Sequence, residues 1–297
     1  MEVKPVKIEK GMRVSELLEE FFFSAFNARR LSKAGKLWKE MISEKAFVIL
    51  TIAGAMIPAG MREILKGMLE RDFVHALVLT GANFVHEVCE ALGYKHSIAD
   101  EKISDVELAE MNLNRIYDVL INTPAFEAVE NFLADVFRDL EGQKGSYEVL
   151  QEVGSKLENS FLRVANEKKV PVFCPTFHDS VAGLHFAIYA KKALLDYNRD
   201  IKKLIEICSH SAKIGITIIG GGVPKNFALQ AMLLADGFDY AIQITTDSPH
   251  FGGLSGAELE EAKSWCKLKK DAKTATVYCD ATIALPILYA YLLDSIT

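Results

Sequence analysis

Little in this 297-residue chain points to a membrane, to nucleic acid or to the extracellular space. Cysteine is scarce: Cys89, Cys174, Cys208, Cys266 and Cys279 are odd in number and never spaced CxxC, which argues against a disulfide framework or a zinc site and for a reducing cytoplasm. There is no basic excess. Lys+Arg number 34 against 40 Asp+Glu, and a net charge of −6 argues against nucleic acid as a partner. The longest apolar run, Ala46 to Met61, has 16 residues, contains Thr51 and Pro58, and lies between Lys45 and Arg62. A spanning helix needs about 20 apolar residues, so this run reads as core, not membrane. The opening MEVKPVKIEK is charged and lacks the apolar stretch of a secretory signal. Pro/Gly/Ser-rich linkers and internal repeats are missing, so a single domain over residues 1–297 is expected. HExxH, GxSxG and a well-placed GxGxxG are absent too, so no metal site is expected and no serine triad can be nominated.

What the chain does have is 50% hydrophobic residues, arranged in short β-branched runs closed by glycine or small polar clusters. These are Phe47–Ile52, Val74–Leu79, Val170–Cys174, Ile214–Ile219, Tyr240–Thr245 and Thr276–Cys279. Runs without polar alternation read as strands buried on both faces, as in a parallel sheet. Helical patterns lie between them at Met61–Glu70, Phe84–Leu92 and Phe227–Ala235, and Ser104 with Glu107 makes a capping box. The alternation predicts an α/β, doubly wound, mostly parallel sheet. Residues 1–45 read as a helical N-terminal extension, packed on the sheet or on a neighbouring subunit. Val119–Gly145 reads as a helix-rich peripheral insertion.

In such sheets ligands bind beyond the carboxyl ends of the strands. Those ends carry Gly54, Thr80-Gly81-Ala82-Asn83, His178-Asp179, Gly220-Gly221-Gly222, Thr246-Asp247 and Asp280-Ala281. Gly220-Gly221-Gly222-Val223-Pro224 places three glycines before a helix start, which suits either an anion at the helix N-terminus or a plain tight turn. Ser255 and Glu258 form a capping-box pattern, predicting a helix to about Trp265 with Glu261 and Trp265 on one face. That pair is a seat for an ammonium group or simply part of a surface helix. Lys267 joins it only if the helix ends near Cys266. With Lys269, Lys270 and Lys273 it otherwise reads as a solvated basic face, and spacing alone does not select it. His178, His185 and His250 fall near ligand loops without any metal-ligand spacing.

Taken together, these segments resemble the deoxyhypusine synthase family in its archaeal branch. The resemblance rests on Gly253-Leu254-Ser255-Gly256, Glu261 and Ser264-Trp265-Cys266-Lys267, on Ala53-Gly54-Ala55-Met56 with Ala59-Gly60-Met61-Arg62, and on Thr80-Gly81-Ala82-Asn83. Asn114-Arg115-Ile116-Tyr117-Asp118, Gly220-Gly221-Gly222-Val223-Pro224-Lys225-Asn226 and Tyr278-Cys279-Asp280-Ala281-Thr282 extend it over nearly the whole chain. It implies a Rossmann-like sheet, a cytoplasmic homotetramer, NAD as cofactor, and transfer of the 4-aminobutyl group of spermidine to a lysine of the hypusine-bearing translation initiation factor. By the same resemblance Lys267 carries an imine intermediate, Glu261 and Trp265 bind the polyamine, and Asp179 lies near polyamine and cofactor. Gly54, Thr80, Gly81, Ala82, Gly221, Gly222, Thr246, Asp247, Asp280 and Ala281 form the cofactor-binding set. Leu184 and Leu254 stand where acidic polyamine ligands are expected, Asn226 where histidine is, and Cys266 where glycine is usual. His185 and His250 are candidates to fill the polar gap. Two other readings stay open: a homospermidine synthase-type transfer to a small amine, and a catalytically silent NAD- or polyamine-binding regulator.

Overall fold

The computed structural model describes residues 2–100 and 102–296. In chain order its strands are β1 (Phe47–Ile52), β2 (Ala76–Leu79), β3 (Ser97–Ile98), β4 (Leu113–Ile116), β5 (Val119–Asn122), β6 (Glu141–Lys144), β7 (Val172–Phe173), β8 (Lys192–Leu195), β9 (Ile214–Ile219), β10 (Phe238–Thr245) and β11 (Leu268–Tyr278). The chain divides into two compact units. The first takes the described residues of Met1–Ala53, Arg71–Val78 and Ile201–Thr297; the second takes those of Gly54–Glu70 and Leu79–Asp200.

In the first unit the strands line up as β11-β10-β9-β1-β2. β1 runs parallel to β9, with Ile49 opposite Ile216, and β10 runs parallel to both β9 and β11. β1 and β9 are buried nearly throughout, which explains why they read as unbroken apolar runs. From β1 the chain goes to β2 on one side and later returns to β9 on the other, so strand order reverses between β1 and β9. A doubly wound sheet opens its ligand crevice at such a reversal. Helices Val14–Phe22, Phe26–Ser43 and Ala281–Ser295 pack on the unit, with Leu18, Trp38 and Met41 fully buried. A Cβ on Gly215 would come within 2.7 Å of Met41 Sδ, so the N-terminal helices lie directly on the sheet.

β11 is longer than the run Thr276–Cys279 predicts. It begins at Leu268, directly after Lys267, and its buried and exposed positions are mixed along its length. Lys269 pairs with Asp239 at 2.8 Å and Lys273 with Glu40, so the lysines that read as a solvated face decorate an outer strand. Asn27 completes this edge. Its amide donates to the Tyr278 carbonyl at 2.8 Å and accepts from the Tyr278 N–H at 3.2 Å.

The second unit holds a three-stranded antiparallel sheet in the order β3-β5-β4 and the parallel pair β6–β8. Its aromatic core joins Phe84 to Phe177 at 5.7 Å between ring centroids and Phe137 to Phe186 at 5.2 Å. The insertion around 119–145 is strand β5, helix Thr123–Arg138 and strand β6, so it is less purely helical than expected. Ser104 caps helix Asp105–Glu110 with the reciprocal Glu107 bond, as its spacing predicts.

Asp200 is fully buried and accepts from the Tyr147 N–H at 3.2 Å, at the start of helix Ser146–Lys156. Burial pushes its carboxyl up to about 6, outweighing the hydrogen bonds from Ser146 and Tyr147. A carboxyl raised in the folded state contributes stability below its unfolded pKa and loses it as pH rises through about 6. Stability of the wild type should therefore fall by roughly 2–3 kcal/mol between pH 4 and 7 from this group. Asp200→Asn should remove that slope, as urea denaturation at the two pH values will show.

Candidate active site

The strand reversal between β1 and β9 is where the glycine turn sits. Ala53 N–H donates to the Ile219 carbonyl at 3.0 Å, and Gly220 takes a left-handed φ of +75° against Ala53. Helix Gly222–Ala231 starts at once, with Pro224 in its first turn. A Cβ on Gly221 would lie 2.5 Å from Ser255, so this glycine is required by close packing. Gly222, at φ +59°, would meet nothing nearer than 3.9 Å, so its left-handed conformation and not close packing favours glycine here.

Ser255 does not do what its spacing predicts. Residues 255–260 form turns, and the helix is a single turn, Glu261–Ser264. The Ser255 hydroxyl instead accepts from the Gly222 N–H at 2.9 Å. A tertiary partner has captured the side chain that would have capped a longer helix. That bond occupies one donor of the glycine turn, and Pro224 has none to offer, so the turn presents fewer N–H groups than the three glycines suggest.

Beside Gly221 and Gly222, the carboxyl ends of β10 and β11 carry Thr246-Asp247 and Asp280-Ala281. Asp247 Oδ1 accepts from the Ser248 N–H at 2.9 Å. Asp280 caps helix Ala281–Ser295, and the Thr282 hydroxyl and N–H hold its carboxyl below the usual carboxylate range. In the second unit, Asn83 binds the other glycine-rich segments together. Its amide donates to the Gly54 carbonyl at 2.7 Å and to Thr80 Oγ1 at 2.9 Å, fixing Gly54 against Thr80-Gly81-Ala82 at the start of helix Gly81–Ala91. Helix starts and carboxylates of this kind suit the phosphates and hydroxyls of a dinucleotide.

A cleft of about 180 Å³ in the first unit is lined by Lys225, Asn226, Leu254, Glu261, Trp265 and Lys267, among others. Because the helix ends at Ser264, Lys267 folds back and its Nζ sits 5.5 Å from the centre of the Trp265 ring, within cation–π range. The condition that spacing set for Lys267 to join Glu261 and Trp265 is thus met. Trp265 is 61% exposed in the single chain, and Glu261 is exposed as well.

Cys266 makes the bend. Its φ of +56° is left-handed, a conformation that glycine adopts without strain. Cys266→Gly should therefore stabilise the protein by about 0.5–1 kcal/mol in urea titration while leaving the Lys267–Trp265 contact in place. A loss of stability would mean that the thiol makes compensating contacts.

Lys225 is the residue that sequence reasoning passed over. It is 2% exposed, and its Nζ donates to Gln243 Oε1 at 3.0 Å, the Leu254 carbonyl at 3.2 Å and the Ala257 carbonyl at 2.6 Å. Burial pushes its ammonium down to about 8, against the pull of Glu261 and Asp247. The only available signal was its position next to the glycine turn.

The remaining predicted ligands belong to the second unit. Asp179 is exposed in the turn before helix Val181–Tyr189. Leu184 is exposed on that helix, whereas the His185 ring is enclosed, and neither of its nitrogens finds a hydrogen-bond partner among the described residues. His250, in the first unit, is exposed. Among the described residues no His/Cys/Asp/Glu group is arranged to hold a metal, and no helix is long and apolar enough to cross a membrane.

Comparison with known proteins points to one family. A family profile described as deoxyhypusine synthase matches residues 16–292. The chain is 58% identical over 296 residues to the probable deoxyhypusine synthase 1 of Archaeoglobus fulgidus, covering 99% of this chain and 98% of that protein. It is 44% identical over 293 residues to the probable deoxyhypusine synthase 1 of Methanosarcina acetivorans, covering 96% and 92%. Its fold matches the crystal structure of an Entamoeba histolytica protein assigned as a deoxyhypusine synthase, with a TM-score of 0.69 at 15% identity over 99% of this chain and 97% of that one.

Proposed function

This chain belongs to the deoxyhypusine synthase family, whose known activity is NAD-dependent transfer of the 4-aminobutyl group of spermidine, and from that premise we propose that Lys267 is the amine through which the group passes. The observation that carries this reading is the Lys267 ammonium folded over Trp265 in a cleft shared with Glu261. NAD, when bound, supplies the hydride acceptor for the secondary amine of spermidine and the donor for the final reduction. Gly221, Gly222, Thr246, Asp247, Asp280 and Ala281 are the residues of the first unit that would hold it, and Gly54, Thr80, Gly81 and Ala82 are the second unit's own candidates.

Lys267 takes over the 4-aminobutyl group as an imine, releasing 1,3-diaminopropane, and passes it to the acceptor lysine by a second amine exchange. Neither exchange changes the oxidation level of the carbon. Glu261 pairs with an ammonium end of the substrate, and the Trp265 face lies against its charge and methylenes. Asp179 is the second unit's candidate carboxylate for a polyamine in this reading. The acceptor is a lysine of the hypusine-bearing translation factor, and the working assembly is a homotetramer in the cytoplasm. Exposed Phe251, Leu254 and Trp265 are surfaces that such an assembly would cover.

Incubation with NAD, spermidine labelled in its butyl carbons and the acceptor factor should place label on one acceptor lysine, with an equal amount of 1,3-diaminopropane and no net consumption of NAD. Diaminopropane release with no label on the factor would overturn the protein-acceptor reading. Leu254, 39% exposed on the cleft where a carboxylate is expected, favours one alternative, transfer to a small amine. Putrescine added in place of the factor distinguishes it, since labelled homospermidine then appears.

A further inference from the structure

Gln243 lies in the middle of the candidate site without lining its cleft. It sits on β10, is 1% exposed, and uses both ends of its amide. Oε1 accepts from Lys225 Nζ at 3.0 Å, while Nε2 donates to the Gly220 carbonyl at 2.9 Å and the Ser255 carbonyl at 2.7 Å. An ammonium only donates and carbonyls only accept, so these partners allow one orientation of the amide. A single planar group therefore meets three segments: the glycine turn, the helix bearing Lys225, and the stretch around Ser255. Two further links close the circuit. Ser255 Oγ accepts from the Gly222 N–H, and Lys225 reaches on to the Leu254 and Ala257 carbonyls.

We propose that Gln243 is a positioning residue of this active site. It sets the spacing between the glycine turn and the 254–257 segment, and through Lys225 it fixes the wall of the cleft that holds Lys267. A glutamine serving only to fill the sheet would need satisfied hydrogen bonds anywhere. Here each partner belongs to the turn, to the cleft wall or to the segment joining them. The catalytic consequence rests on the reading of Lys267 given above; the positioning itself does not.

Gln243→Met preserves length and burial and removes all three bonds. Hydrogen–deuterium exchange should quicken at least tenfold at Gly221–Val223 and at residues 254–257, with β1 unchanged. The borohydride-trapped adduct on Lys267, formed with NAD and spermidine, should fall at least tenfold at saturating substrate. Exchange that stays at the wild-type rate in both segments, or that rises equally across β1 and β9, overturns the proposal. If Gln243→Met does not fold, Gln243→Glu is read by the same exchange, since an ionised carboxylate still accepts from Lys225 but donates to neither carbonyl. Wild-type protein that forms no adduct at all counts against the Lys267 reading, while the exchange data still decide the role of Gln243.

Discussion

Lys267→Arg should abolish transfer. The substitution keeps a cation beside Trp265, but a guanidinium stays protonated and does not form an imine, so turnover should fall at least about a thousandfold. Trapping with borohydride in the presence of NAD and spermidine should give a 4-aminobutyl adduct on the Lys267 peptide of the wild type and none on that of the variant. NAD binding by calorimetry should be preserved within about threefold, because the loss is of the nucleophile and not of ground-state binding. The thermal midpoint should not move much, since Lys267 is only partly buried and lies at a bend and not in the core. Near-normal turnover in Lys267→Arg would end the covalent mechanism and return this lysine to the basic face that its neighbours suggest.

Glu87→Ala should produce the largest loss of stability. The Glu87 carboxylate is fully buried in the second unit and accepts from Arg62 Nε at 2.8 Å, Arg62 Nη2 at 3.2 Å, Ser160 Oγ at 2.6 Å and the Phe161 N–H at 2.9 Å. Arg62 is itself buried and also donates to the Asn159 carbonyl. Removing the carboxylate leaves the buried guanidinium with only the longer pairings to Glu63 at 3.5 Å and Glu90 at 3.8 Å and leaves Ser160 and Phe161 without their acceptor, which costs about 3 kcal/mol. Replacing both partners with apolar residues, as in Arg62→Met with Glu87→Leu, should recover most of that loss, because a buried pair returns little beyond its own desolvation. Urea titrations of the single and double variants decide it, and a double variant as weak as the single one would show that Ser160 and Phe161 depend on the charge itself.

How far the sequence was legible depends on where each residue finds its partners. β1, β9 and β10 are interior strands whose apolar runs read directly, and their carboxyl ends led to the glycine turn. β11 was read only at its end, because an outer strand mixes lysines with small apolar residues and loses the signal of burial. The antiparallel strands β3, β4 and β5 were missed altogether. They are two to four residues long, and β4 joins β5 through Tyr117, held at φ +55° without the Asn-Gly pair that usually marks such a turn. In the site, Ser255 and Glu258 matched a capping motif, yet the hydroxyl bonds to Gly222, 33 residues away in sequence. Lys225 could not be singled out because lysine is ordinarily a surface residue, and its burial depends on Gln243 and on two carbonyls that only the fold brings near. Lys267 needed a fact of the same kind, the end of the helix at Ser264.

The edge at β11 bears on whether the molecule stays in solution. An outer strand of 11 residues offers unpaired backbone groups to any passing chain, and a sheet left open in that way can recruit neighbours without limit. Asn27 occupies both hydrogen-bonding groups of Tyr278 as an added strand would, while Lys269, Lys270 and Lys273 place charge along the rest of that border. The Asn27 amide, and the Arg30 guanidinium that donates to the Thr276 carbonyl at 3.2 Å, thus fill positions that an added strand would need, so the N-terminal helix that carries both closes the end of this border as well as covering the core.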